Sequence, residues 1–357
     1  MTFRFARLMG VLLTFALGAT ADAANASKKG GKGGKGAGVE AQVPATPLAG
    51  RWALSLSTGQ AGWLEVKREN GWYDGSLLWG GGSVVPVAGV NVDGDTLTIH
   101  VVREVERKDA KGKVARKQQL VSTLTARLEG ETLKGTRSDP RPNGSGFTQV
   151  EFTGKRIPAL PPRPDLAKVK FGAPITLFNG KDLSGWTLKE PSGRSAWSVE
   201  NGTLANRPPE HREGEPRVRT ANLRTEREFE DMNLKLEVQV SKGSNSGIYL
   251  RGIYEIQVFD SYGKPLDSHN MGALYSRITP SMAAEKPPGE WQSVDMTLVD
   301  RHLTVVLNGK KIIDNQPVLG CTGGAMWSDE FRPGPIYLQG DHGAVAYRNI
   351  VLRPVVK

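Results

Sequence analysis

The sequence predicts an all-β protein: a two-sheet jelly-roll sandwich preceded by a small antiparallel β-barrel or sandwich. Three observations lead there. Short runs of period-two alternation recur from Leu48 onward, separated by turn signals such as Asn70-Gly71, Asp74-Gly75 and Asn308-Gly309. No stretch carries a convincing amphipathic helical spacing. A proline-rich connector at 157–164, Ile-Pro-Ala-Leu-Pro-Pro-Arg-Pro, divides the runs into two sets, and such a composition makes a stiff, extended spacer. With 357 residues, the chain has room for two or three domains.

Residues 1–23 read as a secretory signal. Arg4 and Arg7 supply the charged start, 11–17 the apolar run, and Ala19-Thr20-Ala21 or Ala21-Asp22-Ala23 the cleavage site. The expectation is a secreted or periplasmic protein, with a retained anchor as the alternative. No cysteine lies near the cleavage site, which argues against a lipoprotein. No later segment is long or apolar enough for a membrane span. Residues 24–46 form a Lys/Gly/Pro linker that cannot bury a core.

Between 47 and 157, runs at 52–56, 62–66, 73–79, 84–87, 96–102, 120–128 and 147–152 read as strands of one small accessory domain. The Lys- and Arg-dense segment 103–118 reads as a polar hairpin excursion. Trp63, Trp72 and Trp79 could form a sugar-stacking platform, but core packing is the stronger prior in so small a domain. After a linker at 158–170, residues 171–355 are again β. A hairpin turns at Asn201-Gly202. Leu234, Leu236, Val238 and Val240 alternate with Lys235, Glu237 and Gln239, and another hairpin turns at Asn308-Gly309. That many antiparallel strands make a two-sheet sandwich.

The formal charge of +10 resembles a nucleic-acid signal, yet Arg4, Arg7, Lys28, Lys29, Lys32 and Lys35 lie in the signal and linker. No nucleic-acid-binding motif accompanies the charge, so no such partner is expected. The single cysteine, Cys321, has Gly320 and Thr322 as neighbours rather than a base, and reads as a structural thiol.

The stretch 245–260 draws the functional reading. It parses as two strands joined by a tight turn near Gly252, with Ile248, Leu250, Ile256 and Val258 on one face. Simple alternation places Tyr249, Arg251, Glu255 and Gln257 together on the other. A guanidinium, a carboxylate, a phenol and an amide converging there could grip a sugar; a solvated outer face is the ordinary alternative.

Leu177-Phe-Asn-Gly-Lys-Asp-Leu-Ser-Gly-Trp186 and Trp197-Ser-Val-Glu-Asn-Gly-Thr-Leu204 resemble the opening of the 3-keto-disaccharide hydrolase family. Later blocks of the family have counterparts in order: 245–251, 254–260, Gly272-Ala-Leu-Tyr275, Pro288-Gly-Glu-Trp-Gln292, Leu307-Asn-Gly309, and Gly334-Pro-Ile-Tyr-Leu-Gln-Gly-Asp-His-Gly343 followed by Arg348-Asn-Ile350. The resemblance covers about 171–355 and is silent on the rest. It implies a concanavalin A-like jelly roll that acts as a 3-keto-glucoside 1,2-lyase and 3-keto-2-hydroxy-glucal hydratase. The partner it implies is an oxidoreductase that first converts the sugar C3 hydroxyl to a ketone. A C3 carbonyl acidifies the C2 proton, so a general base can remove it, and the enolate then needs preorganised donors.

On this reading Glu255 is the leading base, kept ionised by Arg251. Arg251 and Tyr249 stabilise the enolate, and His342 with Asp341 supplies an acid or second base. Asn245, Gln257 and Gln339 bind hydroxyls, while Tyr275 and Trp291 suit stacking on a pyranose face. Asp260 enters through a rival reading. Retaining glucanases on a similar jelly roll space three acids as Glu-x-Asp-x-x-Glu, where this chain has Glu255, Gln257 and Asp260. An amide in the middle impairs a machine that needs nucleophile and acid about 5–5.5 Å apart. Conventional glycoside hydrolysis and a lectin-like, non-catalytic module stay as alternatives. Asp260, Asp267, His269, Asp341 and His342 carry enough donors for Ca²⁺ or a transition ion, but no ligand spacing among them is diagnostic.

Overall fold

The computed structural model describes residues 45–209 and 218–356. The stretch read as an export signal, and the linker as far as residue 44, lie outside them. Among the described residues the regular elements are all β-strands, and no helix is long and apolar enough to cross a membrane.

Strands between Gly50 and Arg156 form one antiparallel sheet. Its order is Val85–Pro86, Trp72–Trp79, Ala61–Glu69, Gly50–Leu56, Phe147–Arg156, Thr132–Pro140, Val114–Glu129, Thr96–Lys108, Gly89–Asp93. The sheet rolls up until its two ends meet: a methyl placed on Gly75 would stand 3.4 Å from Val90 and 3.5 Å from Val87. This is a barrel, filled by Leu54, Leu64, Leu77, Leu97, Ile99, Leu124, Leu133 and Phe152. Each such side chain contributes about 1.5–3 kcal/mol by leaving water. Trp79 packs edge-on against Phe152 with ring centroids 5.5 Å apart, whereas Trp72 is exposed. The charged excursion pairs Arg103 with Leu120 and Lys108 with Val114 and stands out from the barrel, largely exposed.

The second body is a sandwich. Its larger sheet runs Trp197–Glu200, Thr203–Asn206, Val345–Pro354, Met232–Val240, Trp291–Val299, His302–Leu307, Lys310–Pro317, with Ile175–Thr176 paired to Val345–Pro354. The smaller runs Trp186–Leu188, Leu223–Thr225, Tyr337–Leu338, Asn245–Leu250, Tyr254–Phe259. The alternating apolar rows meet between them. Leu234, Leu236, Val238, Met296, Val305 and Leu352 from the larger sheet share one core with Ile248, Leu250, Ile256, Val258 and Leu338 from the smaller. Because alternate side chains take opposite faces, burying that row turns Asn245, Tyr249, Glu255, Tyr337 and Gln339 away from the core. The arrangement is the concanavalin A-like jelly roll.

Barrel and sandwich belong to one compact unit, 42–357. At the joint Trp63 is buried beneath Arg277, whose guanidinium lies 4.3 Å from its ring centroid and donates to the Cys321 carbonyl at 2.8 and 2.6 Å. The Cys321 thiol is fully buried near the Gly62 carbonyl, and burial pushes it up to about 12. Such a thiol stays protonated and is no nucleophile. The proline-rich connector lies along the sandwich: Arg301 donates to the carbonyls of Pro158 and Ala159, and Asn315 to that of Pro164.

Candidate active site

The hairpin Asn245–Leu250 and Tyr254–Phe259 pairs Tyr249 with Glu255 directly across the ladder, and Gly247 with Gln257. Tyr337 joins the row from the other side, paired with Tyr249. The two phenol rings stack at 3.8 Å with 13° between their planes. Glu255 folds back over Gly247, where any β-carbon would collide with its carboxylate. The glycine is therefore what lets the acid lie flat on the sheet.

A strap at 322–326 runs along the hairpin turn. Thr322 accepts the Glu255 backbone N–H at 2.9 Å, and Met326 N–H donates to the Gly252 carbonyl at 2.9 Å. The strap thereby brings the Gly323 carbonyl 2.6 Å from the Tyr249 hydroxyl, and the Gly324 carbonyl 3.0 Å from that of Tyr337. Gly324 has φ +79°, and a β-carbon there would sit 2.6 Å from the Tyr249 oxygen. Only glycine fits.

The Tyr249 hydroxyl is also 2.6 Å from Glu255 Oε2. It has one proton and two acceptors. If that proton goes to the Gly323 carbonyl, the short contact with Glu255 requires the carboxyl to carry its own. The electrostatics agree. Glu255 is 3 % exposed, and burial pushes its carboxyl up to about 8; the Tyr249 bond opposes this and the Asp341 charge adds to it. Burial, reinforced by the Glu255 charge, holds both Tyr249 and Tyr337 well above the ordinary phenol range, so they act as neutral donors.

Above this floor is a cavity of about 870 Å³. Asp341 and His342 stand on one side, with His342 Nδ1 2.6 Å from Asp341 Oδ1. That bond places an imidazole proton on Nδ1. Burial pushes Asp341 up, but its bond to His342, the charge of His342, a backbone donor and Lys189 together draw it below the usual carboxylate range. The loop bearing the pair is pinned by bonds from Asn206 and Thr220 to the Gly340 carbonyl, and from Gly340 N–H to Asn222. Lys189, ion-paired with Glu190 at 3.2 Å, and Arg219 also line the cavity. Asn245 Oδ1 and Gln339 Oε1 are buried along the wall without a hydrogen-bond partner, and such orphaned acceptors are unusual unless a ligand completes them.

Residues 173–353 match the 3-keto-alpha-glucoside-1,2-lyase-like domain, over half of the chain. The chain belongs to that family. It is accordingly a carbohydrate-active enzyme. Among solved structures it is similar to two "putative glycosyl hydrolase" proteins of Parabacteroides distasonis. One is 28% identical, covering 56% of this chain and 94% of that one, with a TM-score of 0.41; the other is 20% identical, covering 52% and 100%, with a TM-score of 0.41. Porphyranase B of Zobellia galactanivorans is 12% identical, covering 56% and 98%, with a TM-score of 0.30. No curated protein matches the chain.

Of the residues singled out in this lyase-like domain, the cavity brings together Glu255, Tyr249, Asn245, Tyr275, Gln339, Asp341 and His342. Four fall elsewhere. Arg251 is not beside Glu255: it opens the turn with φ +55°, so strand alternation stops at Leu250. Its guanidinium swings out to the carbonyls of Glu330 and Arg332 at 2.5 and 2.8 Å. It therefore neither stabilises an enolate in this cavity nor keeps Glu255 ionised. Asp260 accepts the Gly243 N–H at 2.8 Å and braces a turn beyond the strand end, so the glucanase-like acid set is not assembled. Trp291 belongs to the larger sheet, under Arg348 at 4.1 Å. Gln257 is buried but does not line the cavity.

Among the described residues no three metal-ligating groups gather; His269 pairs with Asp267 and Asp341 with His342, as two separate couples. Sequence reasoning missed Lys189, Glu190, Arg219, Asn222, Tyr337 and the 323–326 strap. It also missed the barrel's contribution, Gln60 and Gly80–Gly82, which line the same cavity. The doublets Gly81-Gly82 and Gly323-Gly324 were the available signal, since paired glycines mark close backbone approach.

Proposed function

We propose that this cavity cleaves 3-keto-glycosides by removing the C2 proton, eliminating the C1 substituent and adding water back. The observation that carries the reading is Glu255: a buried carboxyl at the cavity floor, paired with no cation among the described residues and with its pKa lifted to about 8. A carboxylate that basic is far better matched to a carbon acid next to a ketone than an ordinary one is. In the first step Glu255 takes the C2 proton and the C–H electrons form the C3 enolate. The enolate collapses to the ketone, C1=C2 forms, and the C1–O bond breaks with its electrons leaving on the aglycone oxygen. His342, oriented by Asp341 and entering the step as the imidazolium, gives that oxygen its Nε2 proton and is left neutral. Water then adds its oxygen at C1 and a proton at C2. Lys189 and Arg219, in place of Arg251, supply positive charge to the enolate. The substrate implies a sugar 3-oxidoreductase acting upstream, and the N-terminal signal an exported enzyme.

The test compares aglycone release from an aryl glucoside and from its 3-keto derivative. Release from the ketone alone supports the reading. Equal release from both would replace it with conventional hydrolysis, and binding without release with a lectin.

A further inference from the structure

The barrel reaches the cavity through a short loop, Gly80–Val84, and this loop touches the machinery at two points. Gly82 lies so close to Gly323 that a β-carbon on Gly323 would collide with the Gly82 backbone. Ser83 Oγ is 2.8 Å from His269 Nε2, and the Val84 N–H donates to Ser276 Oγ at 2.8 Å. His269 in turn meets Tyr275 edge-on, with ring centroids 4.8 Å apart. One contact lies against the residue whose carbonyl accepts the Tyr249 hydroxyl; the other holds the segment that carries Tyr275. The loop is itself braced within the barrel by Gln60, whose amide donates to the Gly80 carbonyl at 2.9 Å.

We infer that the barrel is a positioning element of the active site: its loop Gly80–Val84 seats the Gly323 carbonyl against Tyr249 and so draws the Tyr249 proton away from Glu255. The inference rests on the reading of Glu255 as the base. With Gly323 seated, that carbonyl competes for the Tyr249 proton and weakens the bond from Tyr249 to the Glu255 carboxylate. With Gly323 displaced, the Tyr249 hydroxyl turns to the carboxylate and stabilises it. Among the described residues, the titratable groups coupled to Glu255 are Tyr249, Tyr337, Tyr347 and Asp341, and the barrel loop bears on the residue that accepts from Tyr249. Gly82 and Ser83 are thus positioning residues, acting through Gly323 and His269.

The test follows the Glu255 carboxyl directly by difference infrared titration of the full chain, using Glu255→Gln to assign the band. Gly323→Ala forces the two backbones apart, and Ser83→Ala removes the His269 contact without adding bulk. Gly323→Ala is expected to lower the carboxyl midpoint by about one pH unit. Ser83→Ala is expected to move it the same way by less, with the pH midpoint of kcat/KM moving in step. Should Gly323→Ala fail to fold, Gly82→Ala, which strains a residue at φ +70° without a clash, carries the same expectation. Unchanged midpoints in folded variants would overturn the inference while leaving Glu255 as base. A shifted carboxyl band in a protein that spares 3-keto-glycosides would support the barrel's role and reject the proposed reaction.

Discussion

Two buried glutamates stand on either side of one hairpin, and their surroundings separate structure from chemistry. Glu255 and Glu330 are 3 and 1 % exposed. Each bonds a buried tyrosine, Tyr249 at 2.6 Å and Tyr254 at 2.8 Å, and burial raises both. Glu330 is answered by cations: Arg301 approaches to 3.6 Å, Arg277 and Arg51 lower its pKa, and Arg251 donates to its backbone carbonyl. Among the described residues no cation pairs with Glu255, which opens onto the cavity. A buried charge that the fold answers with arginines serves the fold. One that the fold leaves unanswered costs stability, and it is retained where its basicity is used.

Removing each carboxylate should break the comparison in opposite ways. Glu255→Gln is expected to lower kcat on a 3-keto-glucoside by about 10²–10⁴-fold, the usual worth of a general base, with the melting temperature held or raised. Glu330→Ala is expected to cost about 3–5 kcal/mol in chemical denaturation, because it strands Arg301 in a buried site. If Glu330→Ala unfolds no more easily while Glu255→Gln collapses, the two roles have been exchanged.

Deleting the tyrosine hydroxyls sharpens the contrast. Tyr249→Phe removes a bond that lowers the Glu255 pKa, so the midpoint of the kcat/KM profile should move to higher pH. A midpoint about one pH unit higher costs about tenfold in kcat/KM at neutral pH. Tyr254→Phe should leave that profile in place and cost about 1–3 kcal/mol. The arginines divide in the same manner. Arg219→Ala should lower kcat and kcat/KM together by about tenfold at unchanged melting temperature, and Arg251→Ala should leave the kinetics in place and lower the melting temperature.

The smallest effect is on stability against pH. The folded pKa of Glu255, about 8, lies above its unfolded value, so its protonated form favours the fold. That contribution is full below the unfolded value and fades as pH rises through 8. Relative to Glu255→Gln, the wild-type protein should lose melting temperature between pH 5 and pH 9.

Much of this was legible in the chain. Alternation placed Ile248, Leu250, Ile256 and Val258 inside, and the same period turned Tyr249 and Glu255 outward onto one face. Alternation failed at Arg251 because a left-handed turn residue ends the period, and nothing local distinguishes it from one more strand position. Lys189, Tyr337, Gly82 and Gly323 were hidden for another reason. They reach the cavity from distant segments through sheet pairing and interdomain packing, which no local pattern encodes. Asp260 misled because the three-residue offset from Gln257 needs a bulge to bring it onto the face of Glu255, and the strand ends first, at Phe259.

The most direct measurement is the primary isotope effect on cleavage of a 3-keto-glucoside carrying deuterium at C2, followed against pH. A base of pKa about 8 predicts that kcat/KM rises with pH and levels above 8, that the deuterated substrate reacts more slowly, and that Glu255→Gln slows the reaction by about 10²–10⁴-fold. Equal rates for the two isotopologues, or a Glu255→Gln variant at full turnover, would contradict the account.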